Sequence, residues 1–270
     1  MFDRKEHTYV VGDETIDKIL RDPAHPLCQI AKLLPEGSVV LDIGAGNGML
    51  GRVLQRAGKS VILDGIEPNE FAAGLAQPFY RTVYTGYAQD FSQEIQARAY
   101  DFVVLADVIE HIPDPGSFLG ELVRNLNKAT RVIISIPNVA FGGVRLALLN
   151  GAFDYVDSGL LESTHLRFFT LDSARRLFKY VHLHAKCIYF LQRSFYRMEF
   201  ARKLLKASPG TILKLASKPN ARAYQYLFVL EQEPCETAIK YCGVTAMSVM
   251  IDAAVARPAI KQFIRRWRAR

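Results

Sequence analysis

From Ser38 to about Ser135 the chain alternates short, β-branched apolar runs with segments whose apolar residues recur at helical spacing. The runs are "SVVLDI" (38–43), "SVILDGIE" (60–67), "RTVYTG" (81–86), "DFVVLAD" (101–107) and "TRVIISIP" (130–137). Near-continuous apolar strands separated by helix-length stretches predict repeated βαβ units and a parallel sheet with both faces covered. Two later runs, "AKCIYFLQ" (185–192) and "AYQYLFVLEQ" (223–232), read as further strands. "AHPLCQIAKLLPEG" (24–37) reads as a helix packed on the sheet edge. "TLDSARRLFKYV" (170–181) reads as another, with Thr170 as N-cap and Asp172 in its first turn.

No single period governs 138–169. A loop-plus-helix insertion after the fifth strand, at the carboxyl end of a parallel sheet, is where a substrate lid is expected. The organisation is therefore an N-terminal helical segment (1–37), an α/β domain (38–233) carrying the lid, and a basic helical extension (234–270). In the last of these, Ile260, Phe263, Ile264 and Trp267 share one helical face, with Lys261, Arg265, Arg266 and Arg268 largely elsewhere.

Charge sharpens this division. The formal net charge is +7, yet residues 1–190 hold 19 Lys and Arg against 22 Asp and Glu, and residues 191–270 hold 15 against 5. The basic tail has two readings. It rests on an anionic membrane surface, or it docks on the domain or on another copy in a homodimer with its basic face in solvent. The absence of a recognisable nucleic-acid-binding module argues against nucleic acid as a partner. The four cysteines (Cys28, Cys187, Cys235, Cys242) are scattered, so neither a disulfide framework nor a zinc finger is expected. "MFDRKEHTYVVGDETIDK" contains no apolar h-region, and "VTAMSVMI" is too short to span a bilayer. A cytoplasmic protein is expected, peripheral at the inner face of the membrane if the tail binds there.

"VLDIGAGNGMLG" (40–51) contains two overlapping glycine fingerprints. Gly46, Gly48 and Gly51 give the G-x-G-x-x-G of a dinucleotide turn; Gly44, Gly46 and Gly48 give G-x-G-x-G behind Asp42. An acid just before the turn would repel the pyrophosphate that a dinucleotide turn exists to hold. It suits S-adenosylmethionine, which brings an ammonium and a sulfonium. Glu67, ending the second strand, can accept from both ribose hydroxyls. Asp90 can accept from the adenine amino group while Phe91 packs on the ring.

On these residues the chain resembles the class I S-adenosylmethionine-dependent methyltransferases over roughly residues 28–233. "VLDIGAGNG" is similar to that family's first motif, "GIEPN" to its ribose-binding acid and "YDFVVLADVIEHIPDP" to its fourth-strand motif. The resemblance implies a Rossmann-like, seven-stranded sheet with helices on both faces and an antiparallel last pair, and a reaction yielding S-adenosylhomocysteine. It places Asp42, Gly44, Ala45, Gly46, Asn47, Gly48, Glu67, Pro68, Asp90, Phe91 and Asp107 around the cofactor. A narrower resemblance, in "SIPNVAFGGVRLALLNGAFDYVDSGLLESTHLRFFT", is to bacterial methyltransferases associated with glycosyltransferases of surface-polysaccharide assembly. Relatives of these act in quinone biosynthesis and methionine metabolism.

Methyl transfer to a hydroxyl requires a desolvated acceptor behind the methyl carbon and the removal of a proton. His165 in the lid and His111 after the fourth strand are the candidate bases, each with a structural alternative: a bond to a lid carbonyl, or the shaping of a loop between prolines. Asp107 either meets the methionine end of the cofactor, orients a base, or caps a turn. Asn138, Arg145 and Arg167 are candidate acceptor-binding residues, the arginines for an anionic group. No metal is expected, because after the fifth strand only Asn138 offers a ligand. The expected function is methylation of a hydroxyl on a sugar or other small polar metabolite, such as a surface-glycan precursor. The alternatives are an amine, the phenolic hydroxyl of a quinone precursor, or a non-catalytic cofactor-binding regulator or scaffold.

Overall fold

A computed structural model describes residues 12–194, 200, 209–218 and 220–243. The basic tail helix, with the membrane and subunit contacts read from it, lies outside the described residues.

The strands are β1 (Val39–Ile43), β2 (Ile62–Glu67), β3 (Thr82–Thr85), β4 (Phe102–Ala106), β5 (Arg131–Pro137), β6 (His184–Gln192), β7 (Ala223–Glu231) and β8 (Ala238–Cys242). They form one sheet in the order β3-β2-β1-β4-β5-β7-β6-β8. The first five are mutually parallel, β7 runs antiparallel to both β5 and β6, and β8 runs parallel to β6. The helices are α1 (Asp13–Arg21), α2 (Pro26–Leu33), α3 (Met49–Arg56), α4 (Glu70–Ala76), α5 (Ser92–Ala97), α6 (Pro115–Arg124), α7 (Gly142–Leu149), α8 (Leu171–Tyr180) and α9 (Pro209–Ala216).

Successive strand residues point to opposite faces, and both faces are buried. Leu41, Val103, Leu105, Ile134 and Phe228 pack with Phe118, Leu119 and Phe178 of α6 and α8. Val40, Val104, Ile133 and Leu227 pack on the other side with Ile16, Ile30, Leu50 and Leu54 from α1, α2 and α3. Thr170 caps α8 as expected, its hydroxyl accepting from Ser173 N at 3.2 Å.

One expectation is corrected. The sheet has eight strands, not seven, and the eighth lies at the start of the segment read as a helical extension. It is only five residues long and its side chains are mostly exposed, so it lacks the apolar run by which a strand is recognised. It is held by main-chain pairing, by Thr237 Oγ1 donating to Ala185 O at 2.7 Å and by Tyr241 against Phe190. α2 packs against α1 and α3 with Ile30 and the following Leu34 wholly buried, and it lies near the β8 edge, its Lys32 and Cys28 close enough to Cys242 to act on that thiol.

The insertion after β5 has a small core of its own. Phe141, Val144, Leu146, Ala147, Leu160 and Leu161 pack with Phe200 and Ala221. It is tied to the loop after β4, where the Glu110 carbonyl accepts from Leu166 N (2.8 Å) and Arg167 N (2.9 Å). No helix among the described residues is long and apolar enough to cross a membrane.

Candidate active site

β1 ends in a loop that turns at Gly44, Gly46 and Gly48, all at positive φ, and Gly48 (φ 81°) is the N-cap of α3. A Cβ on Gly48 would lie 2.8 Å from the Ala76 backbone, and one on Gly44 2.7 Å from Val108. A Cβ on Gly46 would meet nothing within 4 Å, so the middle glycine borders open ground on which a ligand can rest. Gly51 differs: its Cβ would strike Phe79 and Tyr80 at 2.7–2.9 Å, so close packing alone demands a glycine there. The dinucleotide fingerprint thus draws its third glycine from helix packing, and the three that shape the loop are Gly44, Gly46 and Gly48.

Glu67 anchors the loop from β2. Its Oε2 accepts from Gly46 N (2.9 Å) and its Oε1 from Asn69 N (2.8 Å), which fixes the carboxylate at the loop's edge with a lone pair left on each oxygen. Ala45 and Asn47 are buried within the turn, and Pro68 is exposed beside Glu67. Asp90 is exposed, its Oδ2 accepting from Tyr87 N at 2.9 Å, and Phe91 packs on Tyr84 with ring centroids 5.0 Å apart.

Asp42 is only 3% exposed. Its carboxylate accepts from the Tyr80 hydroxyl at 2.6 Å, which ties the end of β1 to the segment after α4. Burial, aided by the Glu67 charge and opposed by the Tyr80 bond, pushes its carboxyl up to about 7. Tyr80 was not singled out from the sequence, where nothing in "QPFY" marks it as the partner of an acid 38 positions away.

Asp107 follows β4 at φ 56°, an uncommon conformation for a residue with a side chain. Ser135 Oγ donates to it at 2.7 Å and Gln225 Nε2 to both its oxygens at 2.9–3.0 Å, which joins β4, β5 and β7. Burial raises its carboxyl above the ordinary value, against the hydrogen bonds from Ser135 and Gln225. Neither partner was legible in the sequence, since each lies on a strand paired with a distant one.

The structure brings His111 and His165 together, with ring centroids 4.9 Å apart. His111 Nδ1 lies 3.1 Å from Thr164 O and His165 Nδ1 3.1 Å from Leu160 O. A carbonyl can only accept, so both Nδ1 atoms carry hydrogen and each ring keeps Nε2 for other work. Burial lowers the His165 imidazole below its ordinary value. Glu110, 1% exposed, stands beside them, and neither of its carboxylate oxygens has a hydrogen-bond partner among the described residues. Burial, reinforced by the Asp107 charge, pushes its carboxyl well above the usual range. The expectation of no metal considered only the loop after β5; it overlooked the loop after β4, where Glu110 and His111 meet a lid histidine.

Asn138 is not placed to bind an acceptor. It is wholly buried, its amide donating to Asn220 O (3.2 Å) and Ala223 O (2.7 Å) and its Oδ1 accepting from Ala140 N (3.0 Å). Every polar atom of the side chain is thereby spent on fastening the lid's entry to β7. Arg167 donates to Pro113 O at the surface, and Arg145 is half-buried on α7.

The sequence pattern of a family described as "Methyltransferase domain" matches residues 16–183, well over half of the chain. The chain belongs to this methyltransferase family. Ubiquinone biosynthesis O-methyltransferases are among its relatives. That of Aromatoleum aromaticum is 30% identical over 134 residues, 48% of this chain and 56% of the relative, and that of Xanthomonas axonopodis pv. citri is 27% identical over 139 residues, 50% and 57%. The methyltransferase described here thus matches a little over half the length of these relatives. Among solved structures, a SAM-dependent methyltransferase from Archaeoglobus fulgidus superposes with a TM-score of 0.54 at 14% identity, covering 84% of this chain and 97% of that one. The plantazolicin methyltransferase BpumL, solved with SAH, gives 0.52 at 17% identity, covering 84% and 88%. The methyltransferase shares their fold.

Proposed function

We propose that this methyltransferase moves the methyl group of S-adenosylmethionine to a hydroxyl of a small molecule. The cofactor reading is supported by the open ground above Gly46 and by the amide-held carboxylate of Glu67. The loop from Gly44 to Gly48 would cradle the methionine and ribose, with Glu67 on the ribose hydroxyls, Asp90 and Phe91 at the adenine, and Asp107 toward the methionine end. When bound, the cofactor supplies an electrophilic methyl on a positively charged sulfur.

The observation that carries the hydroxyl reading is the cluster of Glu110, His111 and His165 beside Asp107. The glycine loop packs on the turn that leads to it, since a Cβ on Gly44 would lie 2.7 Å from Val108. Catalysis through side chains alone makes His165 Nε2 the proton acceptor. Its imidazole is neutral at neutral pH because burial lowers it, and its orientation is set by Leu160 O. The lid excludes water from the acceptor.

A sugar hydroxyl, as in a surface-glycan precursor, is the first acceptor class, on the likeness of the lid sequence. A phenolic hydroxyl is the second reading, favoured by the relatives named for ubiquinone biosynthesis and by the lid's exposed aromatic group of Phe153, Tyr155 and the adjoining Phe168. Formation of S-adenosylhomocysteine against nucleotide sugars, lipid-linked glycans and catechols tests both. His165→Ala is expected to lower turnover roughly a hundredfold while cofactor affinity is kept. Unchanged turnover removes His165 from the reaction, and cofactor binding without product from any acceptor would leave a non-catalytic binding protein.

A further inference from the structure

We propose that Glu110, His111 and His165 form a binding site for a divalent transition-metal ion of the zinc class, and that this ion receives the acceptor's oxygen. One donor atom from each of the three side chains lies within 4.8 Å of those of the other two. The inference rests on the reading that the acceptor is a hydroxyl, and it changes the role of His165 from proton acceptor to ligand.

Three independent features point to a cation. Glu110 is almost fully buried with both carboxylate oxygens unpartnered among the described residues, an arrangement that is costly unless something positive or donating sits against it. Both imidazoles donate Nδ1–H to a main-chain carbonyl, the outer-shell bond that metal-ligating histidines typically make and that turns Nε2 toward the ion. Finally, the three ligands come from two separately anchored segments. Glu110 and His111 belong to the turn after β4, whereas His165 comes from the lid, and the segments are already bonded through the Glu110 carbonyl.

The donor set selects among metals. Two imidazoles and one carboxylate suit Zn2+, Co2+ or Fe2+, whereas Mg2+ prefers an all-oxygen shell. Metal–ligand bonds of about 2.0–2.2 Å require the donors to draw somewhat closer than they stand, which the half-exposed His111 ring and the lid segment permit. Asp107 is not a ligand, since its oxygens are taken by Ser135 and Gln225; it contributes negative charge nearby. Three protein ligands leave a coordination position open. A hydroxyl bound there loses its proton to solvent more readily. The resulting oxygen forms the O–C bond to the methyl while the C–S bond breaks and its electron pair returns to sulfur. The net change is hydroxyl plus sulfonium to methyl ether, thioether and a proton, with no further reactant.

The test is metal binding itself, read without turnover. The purified protein is stripped with a chelator and titrated with Zn2+ against a chromogenic chelator, and with Co2+ by its visible spectrum. One equivalent is expected to bind, with affinity falling ten- to a hundredfold or more in Glu110→Gln and in His111→Ala, and no change in His184→Ala. Circular dichroism shows whether each variant folds, and if Glu110→Gln does not, His111→Ala decides. No stoichiometric binding by the wild type, or equal binding by the variants, overturns the site. Hydroxyl methylation at full rate in chelator would sink the metal and leave the proposed function standing. Metal bound at these residues with no hydroxyl methylated would do the reverse.

Discussion

Replacing Asp42 by Asn tests whether the carboxyl just before the glycine loop is held neutral. In the folded protein it titrates at about 7, against 3.8 for an unperturbed group. Burial is the cause, and Tyr80 supplies only one hydrogen bond in compensation. A carboxyl with a raised folded pKa keeps a proton that the unfolded chain releases, so stability falls as pH rises from about 3.8 to about 7. Below that window the group contributes nothing. Asn cannot titrate, yet its carbonyl still accepts from Tyr80, so the variant escapes this penalty. Integrating proton release between about pH 5 and 8 gives a difference of roughly 2.5 kcal/mol. Urea unfolding of both proteins across that range measures it, since every other group largely cancels in the subtraction. The variant should gain on the wild type steadily with rising pH. A difference that stays flat would mean that Asp42 ionises normally in the fold, and the reasoning from burial would fail.

Gly51→Ala should cost about 1–3 kcal/mol through overpacking against Phe79 and Tyr80, and leave affinity for S-adenosylmethionine nearly intact. Gly46→Ala should cost about 1–2 kcal/mol from its positive φ, and lower that affinity at least tenfold; calorimetry and thermal melts on the pair distinguish a packing glycine from a cofactor glycine. Asn138→Ala breaks three buried hydrogen bonds worth roughly 1 kcal/mol each. It should therefore appear as a lowered melting temperature, with the acceptor KM changed only as far as the lid loosens; a normal melt with a raised KM would restore Asn138 to the acceptor site.

The parallel core was readable because its strands are buried on both faces and carry their apolar runs openly, and each of the five was found within two residues of its ends. β8 was not, since a strand held mainly by main-chain bonds, with a few contacts from otherwise exposed side chains, leaves no periodic trace. The same division holds at the site. The glycines and Glu67 announce themselves because close approach and a charge at a strand end leave few residue types possible. Tyr80, Ser135 and Gln225 are chosen by partners 28 to 118 positions away, and each would serve equally well as a core or surface residue elsewhere. Glu110 was visible but was given no part in the chemistry, because the isolation of its carboxylate exists only in three dimensions. Asn138 misled for the opposite reason. It stands where acceptor ligands are sought, and only the fold reveals that main-chain groups of Ala140, Asn220 and Ala223 have claimed it.

The separate small core beneath the lid bears on how such an enzyme changes over time. Phe141, Val144, Leu160 and Leu161 share no cluster with the residues that hold the sheet together. Substitutions there can therefore be sampled with little loss to the scaffold, because distant, unconnected sites add independently. Meanwhile the hinge of main-chain bonds to the β4 turn, which is blind to side-chain identity, keeps the altered lid in register. Lineages sharing this architecture can thus exchange one acceptor for another by drift within the insertion, while the cofactor-facing half stays recognisable.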